Sequence, residues 1–310
     1  FYLFLAGDFP MAIVSSAVLL GLQYALLALG VYITFRVLNI PDLTVDGGFT
    51  FGAAVSALLS IAGHPFLGLL AALASGAAAG IVTGFLQTKA GIHPILAGIL
   101  TMSGLYTVNI TIMGAPNLSL IGKPRFYEFL YKLMPDADKD FMKILAVFVI
   151  CAGLCILLIL FFRTVFGLCI RATGNNEDMV RASSINTNMT KVTALAIANA
   201  LVALSGGLIA QTSGYADVNG GSGMIVVGLA SVIIGEVIFG KRSLWLGLIS
   251  AIVGSVVYRL IIALALETSI FSANALKLVS AVIVAITLSV PAIRKAFADS
   301  RRKKEARRNA

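Results

Sequence analysis

The sequence predicts an all-α fold, a polytopic membrane protein with about nine transmembrane helices arranged as inverted repeats. Three observations carry that expectation. First, 59% of the 310 residues are hydrophobic and only 12% charged, against about 45–50% and about 25% in soluble domains; mean hydropathy is +0.97. Second, apolar runs recur at about 20 residues, the length at which a rise of about 1.5 Å per residue covers about 30 Å of hydrocarbon. Third, there are thirty glycines, and small residues let membrane helices approach closely where burial from water supplies no drive. The runs do not alternate polar with apolar, which excludes a β-barrel.

Charges, glycines and prolines divide the chain into spans near 12–36, 46–62, 65–87, 93–114, 142–163, 191–212, 223–240, 244–264 and 273–291. His64–Pro65 and His93–Pro94 open two of them, with proline in the first turn, where no N–H is needed. The two histidines therefore read as cap-position residues rather than proton relays. Gly76, Gly80 and Gly84 repeat every four residues in the third span and form a packing stripe. Contact within the chain and contact across a subunit interface both fit it. Cys151, Cys155 and Cys169 form neither a disulfide framework nor a metal-binding spacing.

The net charge of +9 is concentrated at the end of the chain, where residues 294–308 hold eight basic residues against two acidic ones. This tail directly follows an apolar span, so it is expected to anchor a cytoplasmic C-terminus rather than to bind nucleic acid. Counting back puts the N-terminus outside. Arg36, Lys89, Arg163, Arg171, Arg181, Lys191, Lys241 and Arg242 then all fall in or beside cytoplasmic connections, while the connection 115–141 is nearly balanced and external. The expected organisation is one membrane domain with an external N-terminal segment (1–11), an external connection (115–141), a cytoplasmic connection (164–190) and a basic cytoplasmic tail (292–310). "FYLFLAGDFP" at the start lacks the basic region of a signal peptide, and none is expected. Phe126, Phe129, Leu130 and Leu133 share one helical face in the external connection; a landing site for a delivery protein and a membrane-surface helix both fit.

A weak repeat relates the two halves. "ALLALG" at 25–30 resembles "ALVALS" at 200–205, "DGGFTFGAAVSALLS" from Asp46 resembles "NGGSGMIVVGLASVI" from Asn219, and "FLGLLAAL" at 66–73 resembles "WLGLISAI" at 245–252. The first span and its partner run in opposite senses, which makes the halves inverted repeats of the transporter kind. Polar residues interrupt both halves at matching places. "RVLNIPDLTVDGGFTFGAA" sets Asn39, Asp42, Thr44, Asp46, Gly47 and Gly48 between the first two spans, and "QTSGYADVNGGSG" sets Gln211 and Asn219 in the counterpart. Irregular backbone at membrane depth survives only when buried in protein or lining a water-filled cavity. These residues are expected to line a translocation path, with the two breaks as its inner and outer ends. For Asp46, helix capping fits equally well.

"GEVIFGKR" from Gly235 to Arg242 approaches the phosphate-binding G-x-x-x-x-G-K-[ST], but Arg242 replaces the Mg²⁺-holding hydroxyl and the glycines sit in an apolar span. No cofactor, metal or catalytic residue is expected. Glu236 reads as charge balance for Lys241 and Arg242. The stretch "ATGNNEDMVRASSINTN" (Ala172 to Asn188) is polar throughout. Asn175 or Asn176 can cap a short helix, Glu177 and Asp178 fall in its first turn, where the dipole favours acids, and Met179, Val180, Ala182 and Ile185 give it an apolar side. From these features alone, docking to a cytoplasmic partner and lying on the bilayer are both open.

With the residues that follow it, this stretch resembles the cytoplasmic signature of ABC-importer permeases of the branched-chain amino acid, ribose and nucleoside family. Gly174, Asn176, Ala182, Ile185, Asn186, Lys191 and Gly206 match; Met179 and Ser184 stand where Ala and Gly are usual. "LNIPDLTVDGG" is similar to the family's L-N-x-x-x-G, and its acidic residues are closest to the tryptophan/tyrosine-type branch. "GLASVIIGEVIFGKRSLWLGLISAIVGSVV" resembles a later span, with Glu236 in place of a glycine. The likeness runs over residues 20–290. It implies the permease subunit of an importer for a small solute, an amino acid first and a sugar or nucleoside second, in the cell membrane. The implied partners are a second permease subunit in a homodimer, two cytoplasmic ATPases and an external binding protein, with lipid around the bundle. It further implies that Gly174, Asn175, Asn176, Glu177, Asp178, Met179, Arg181, Ala182, Ser184, Ile185 and Asn186 form the element seated in the ATPase, which alone hydrolyses ATP. An ion-coupled carrier working by itself is the alternative from another class.

Overall fold

The structure, a computed structural model, describes residues 11–133, 138–240 and 243–267, with residues 282, 285 and 289 beyond them. The expected ninth span, the basic tail, Lys241, Arg242 and the segment before Met11 lie outside the described residues. Eight long helices match the first eight expected spans: α1 (Met11–Tyr32), α2 (Thr44–Ile61), α3 (Pro65–Thr88), α4 (Pro94–Met113), α6 (Lys139–Phe161), α9 (Thr187–Ser213), α10 (Met224–Phe239) and α11 (Leu244–Glu267). Short helices α5 (Phe126–Leu133), α7 (Val165–Asn175) and α8 (Glu177–Ala182) lie in the connections. Asn117–Ser119 (β1) pairs antiparallel with Tyr215–Asp217 (β2), with Leu118 opposite Ala216.

Seven of the long helices are long and apolar enough to cross a membrane. The eighth, α10, has 16 residues and is about 24 Å long. It is shorter than the hydrocarbon layer, so the expected count of nine full spans is not what the described residues hold.

The apolar faces pack around α9, which lies against α1, α2 and α3. Close approach is made by glycines: a Cβ at Gly52 would overlap the Ala203 carbonyl, and one at Gly206 the Phe49 carbonyl. The stripe of α3 faces the same helix, with Gly76 against Asn199, Gly80 against Leu195 and Gly84 against Val192. Contact within the chain is thus where this stripe lies. In the other half, α1 lies on α11 in the same way, with Gly21 against Val256 and the Ser255 hydroxyl donating to the Gly21 carbonyl at 2.8 Å. The first helix of each half therefore packs on the third helix of the other, and the halves interlock. α3, α4 and α6 turn large apolar side chains outward, among them Leu70, Phe85, Leu100 and Leu157, as lipid-facing helices do.

α5 is tied down on its inner side. Phe66 meets Phe126 and Phe129 edge-on at 5.0 and 5.1 Å, and the buried Tyr127 hydroxyl accepts from Gln23 Nε2 at 3.1 Å. Side chains of Leu130 and Leu133, from the expected apolar face, are outside the described set.

Candidate functional site

The geometry begins where α1 ends. Its last turn widens to a π-helix at Ile33–Val37, the chain passes Asn39 in a left-handed conformation (φ 55°), and it then re-enters the bundle. Asp42 is buried there, beside the middle of α9. Its Oδ1 accepts from the Thr44 N–H at 2.9 Å and its Oδ2 from Asn199 Nδ2 at 2.7 Å. Asp42 thereby supplies an acceptor for the first turn of α2. A carboxylate at a helix centre costs roughly 2.5–3.5 kcal/mol on insertion scales, and these two donors offset part of that. Thr44 is the first link of a buried hydroxyl chain to Thr83 (2.8 Å) and Thr101 (2.9 Å), joining α2, α3 and α4.

α2 thus starts beside the middle of α9, the helix at the centre of the bundle. α10 starts beside α2, because Asp46 reaches its first turn: Oδ2 accepts from the Gly223 N–H at 2.9 Å and Oδ1 from the Ile225 N–H at 2.8 Å. The Thr50 hydroxyl accepts from the Gly221 N–H at 3.0 Å. The two breaks therefore meet. Expected at opposite ends of a path, they instead bring the starts of α2 and α10 together, N-terminus near N-terminus. Asp46 does cap a helix, but the helix belongs to the other half of the chain.

Beside this junction is a cavity of about 430 Å³ lined by Asp46, Gly47 and Thr50 of α2, by Met102, Ser103, Tyr106 and Asn109 of α4, and by Val218, Asn219 and Ser222. Asn109 Nδ2 donates to the Gly47 carbonyl at 3.3 Å, while its Oδ1 is enclosed without a partner among the described residues. The wall is mixed, with aromatic and thioether surface, hydroxyls, amides and one carboxylate, as suits a small solute with polar ends. Of the candidates from sequence, Asp46, Gly47 and Asn219 line this cavity. Asp42, Thr44 and Gly48 lie behind it on the side of Asn199 and the hydroxyl chain, and Asn39 lies apart. Gln211 is elsewhere: its Oε1 accepts from the Phe126 N–H (2.8 Å), and its Nε2 donates to Ser56 (2.9 Å) and to the Pro65 carbonyl (3.0 Å), which fixes the start of α5. The α4 residues were missed. Their signal was the run of Thr101, Ser103, Tyr106, Thr107 and Asn109 inside one apolar span.

The polar stretch folds as two helices bent at Asn176. Three side-chain caps punctuate it: Thr164 accepts from the Gly167 N–H (3.2 Å), Asn176 from Met179 (3.0 Å) and Asn186 from Met189 (3.1 Å). Gly174 packs against the Val37 carbonyl, where a Cβ would not fit, so α7 rests on the π-helical end of α1. Glu177 ties α8 to α9, accepting from Arg181 at 2.8 Å and from Lys191 at 2.6 Å. Burial raises the Glu177 carboxyl, but the Lys191 ammonium and then Arg181 outweigh it and hold the group below its usual value. The expected apolar side divides. Val180 is 2% exposed and Ile185 half-buried, whereas Met179 is 64% exposed, beside exposed Asn175, Asp178, Arg181, Ala182, Ser184 and Asn186. Glu236 forms its ion pair with Arg36, at the end of α1.

Interlocked halves whose helices meet start to start beside a polar cavity define a polytopic membrane transport protein. Residues 13–290 match the family described as branched-chain amino acid transport system, permease component, and the chain belongs to that family. It is similar to a tyrosine transport system permease protein of Clostridioides difficile, 37% identical over 85% of this chain and 86% of the relative. An uncharacterised protein of Rickettsia prowazekii is 33% identical over 85% and 92%. A protein of Methanocaldococcus jannaschii named as a probable branched-chain amino acid transport permease, LivH, is 26% identical over 64% and 65%. No solved structure matches.

Proposed function

We propose that the chain forms one side of the path by which an ABC importer takes up an amino acid, with an aromatic amino acid such as tyrosine as the first solute to test. The carrying observation is the Asp46 junction. Two helices from opposite halves of the chain start at one carboxylate beside a 430 Å³ cavity with a polar and aromatic wall. Backbone donors at such starts suit anionic groups, and carbonyls and carboxylates suit ammonium groups. The cavity opens past α4, whose Ser103, Tyr106 and Thr107 are exposed on an otherwise apolar helix. A second copy of the chain closes the path there. The C-terminus lies in the cytoplasm.

In this reading Gly174 to Asn186 is the handle held by a separate cytoplasmic ATPase, and an external binding protein delivers the solute. Asn176, Asp178, Met179 and Arg181 offer the docking face. Force on it reaches the path through two fixed contacts: Gly174 on the end of α1, and Glu177 on α9 through Lys191. α9 also carries Asn199, the partner of Asp42. Nucleotide-driven motion would thus alter the level at which α2 and α10 meet.

Uptake of labelled tyrosine into vesicles holding permease, ATPase and binding protein tests this. Asp178→Lys combined with Met179→Glu, which spares the structural Glu177, is expected to lower ATP-dependent uptake by roughly tenfold or more, the scale of a typical coupling free energy, with insertion unchanged. Uptake that persists without any ATPase would sink the importer reading.

A further inference from the structure

Two cavities adjoin at the membrane face that carries α7 and α8, away from the Asp46 site. One, of about 370 Å³, is lined by Tyr32, Arg36, Arg171, Glu236 and Ser243 among others. Its neighbour, of about 250 Å³, lies between the end of α6 and the start of α11 and is lined by Phe162, Arg163, Arg171, Ser243 and Trp245 among others. Arg171 and Ser243 line both, so the two form one basin. Three arginines meet one glutamate there, and that glutamate is engaged by Arg36. Arg163 and Arg171 have no ion pair among the described residues. Arg36 Nε and Ser243 Oγ are enclosed without a hydrogen-bond partner among the described residues. Enclosed donors of this kind suit an acceptor-rich anion.

Its surroundings say what carries the anion. The outer wall continues into the exposed apolar surface of Ile156, Leu157 and Leu160 on α6 and of Trp245 and Ile249 on α11. Helix ends and an exposed tryptophan mark the level of lipid headgroups. A free anion would have no use for the apolar wall, whereas a phospholipid fills both parts. We propose that this basin binds the phosphate headgroup of an anionic phospholipid, held by Arg163, Arg171 and the Ser243 hydroxyl, with an acyl chain along Leu157, Leu160 and Trp245. The lipid then bridges α6, α7 and α11, three elements around the base on which α8 rests. The site is independent of the transported solute.

Trp245 is the only tryptophan of the chain and reports on the basin directly. The full chain would be reconstituted in phosphatidylcholine vesicles and titrated with acyl-brominated phosphatidylglycerol or acyl-brominated phosphatidylcholine, which quench indole fluorescence at contact. Quenching at roughly 25-fold lower mole fraction of the anionic lipid is expected, about fivefold from each arginine. That preference should fall about fivefold for each of Arg163→Gln and Arg171→Gln, while Lys89→Gln, an exposed cation on the same membrane face, leaves it unchanged. Equal quenching by both lipids, or a preference that survives the double arginine variant, would overturn the proposal. Loss of the preference in millimolar inorganic phosphate would overturn the lipid assignment in favour of free phosphate. Arginine variants that keep the preference but lose binding of the ATPase subunit would assign the basin to a protein carboxylate instead. A matched far-ultraviolet spectrum and gel-filtration profile for every variant keeps misfolding out of the comparison.

Discussion

Single residues in this chain act across long sequence distances. Asp46 is an ordinary capping carboxylate in chemistry, but it caps a helix that starts 177 to 179 residues later. An asparagine keeps one acceptor for the two N–H groups, and an alanine keeps none. Asp46→Asn is therefore expected to lower the thermal unfolding midpoint of the solubilised protein, and Asp46→Ala to lower it further, for a stability loss of about 1–2 kcal/mol in all. The reverse order would remove Asp46 from its capping role. Ser184 offers the opposite sign. It sits at φ 61°, a region costing a residue with a Cβ about 1–2 kcal/mol, part of which glycine returns through its greater freedom in the unfolded chain. Ser184→Gly is expected to slow amide exchange across 176–186 by a few-fold, the size of a gain of about 0.5 kcal/mol; faster exchange would refute the strain.

At the scale of elements, α8 stays on α9 through Glu177, and that contact is sensitive to acid. A carboxyl held below its usual value contributes stability that is present above its unfolded pKa and is lost as pH falls through the folded one. With 4.5 as the ordinary value, the segment is expected to remain closed at pH 6 and to open to proteolysis as pH falls below that value, with Glu177→Gln more open than the parent protein at pH 6. Equal cleavage of both proteins at neutral pH would detach Glu177 from this role. Elements were also where the sequence was most and least legible. Asn176 and Asn186, with Glu177 and Asp178 behind the first, signalled the helix starts of the polar stretch, and proline and glycine bounded α3 and α4 to within a residue or two. Placement in the bundle was illegible. Hydropathy reports that residues 223–240 are apolar and not where in the bundle their helix begins, so a helix of 16 residues read as a full span. The cavity wall on α4 was hidden for a related reason: serine, threonine and tyrosine barely lower the hydropathy of a span, although they decide which face avoids lipid. Gln211 misled because a buried amide that fastens a loop and one that lines a path look alike until their partners are known.

For the whole molecule, the open side of the cavity is the point that separates a self-sufficient carrier from one subunit of a pair. Tyr106 is exposed at that side and Leu157 lies on an outward apolar face of α6. In membranes, Tyr106→Cys is expected to give a disulfide- or bismaleimide-linked dimer under oxidising or cross-linking conditions, and Leu157→Cys is not. Linkage through Leu157 with none through Tyr106 would place the pairing surface elsewhere. The interlock of the halves also has a consequence in time. Asp42 waits for Asn199, and Asp46 for a partner 179 residues downstream. At about 5–20 residues per second that is a wait of roughly 10–40 s, during which two carboxylates sit in a half-made bundle. Until α9 and α10 emerge, the ribosome's first product is a set of helices in which Asp42 has only the Thr44 N–H and Asp46 awaits the donors of α10. Its survival over that interval depends on whatever shelters it at the site of insertion.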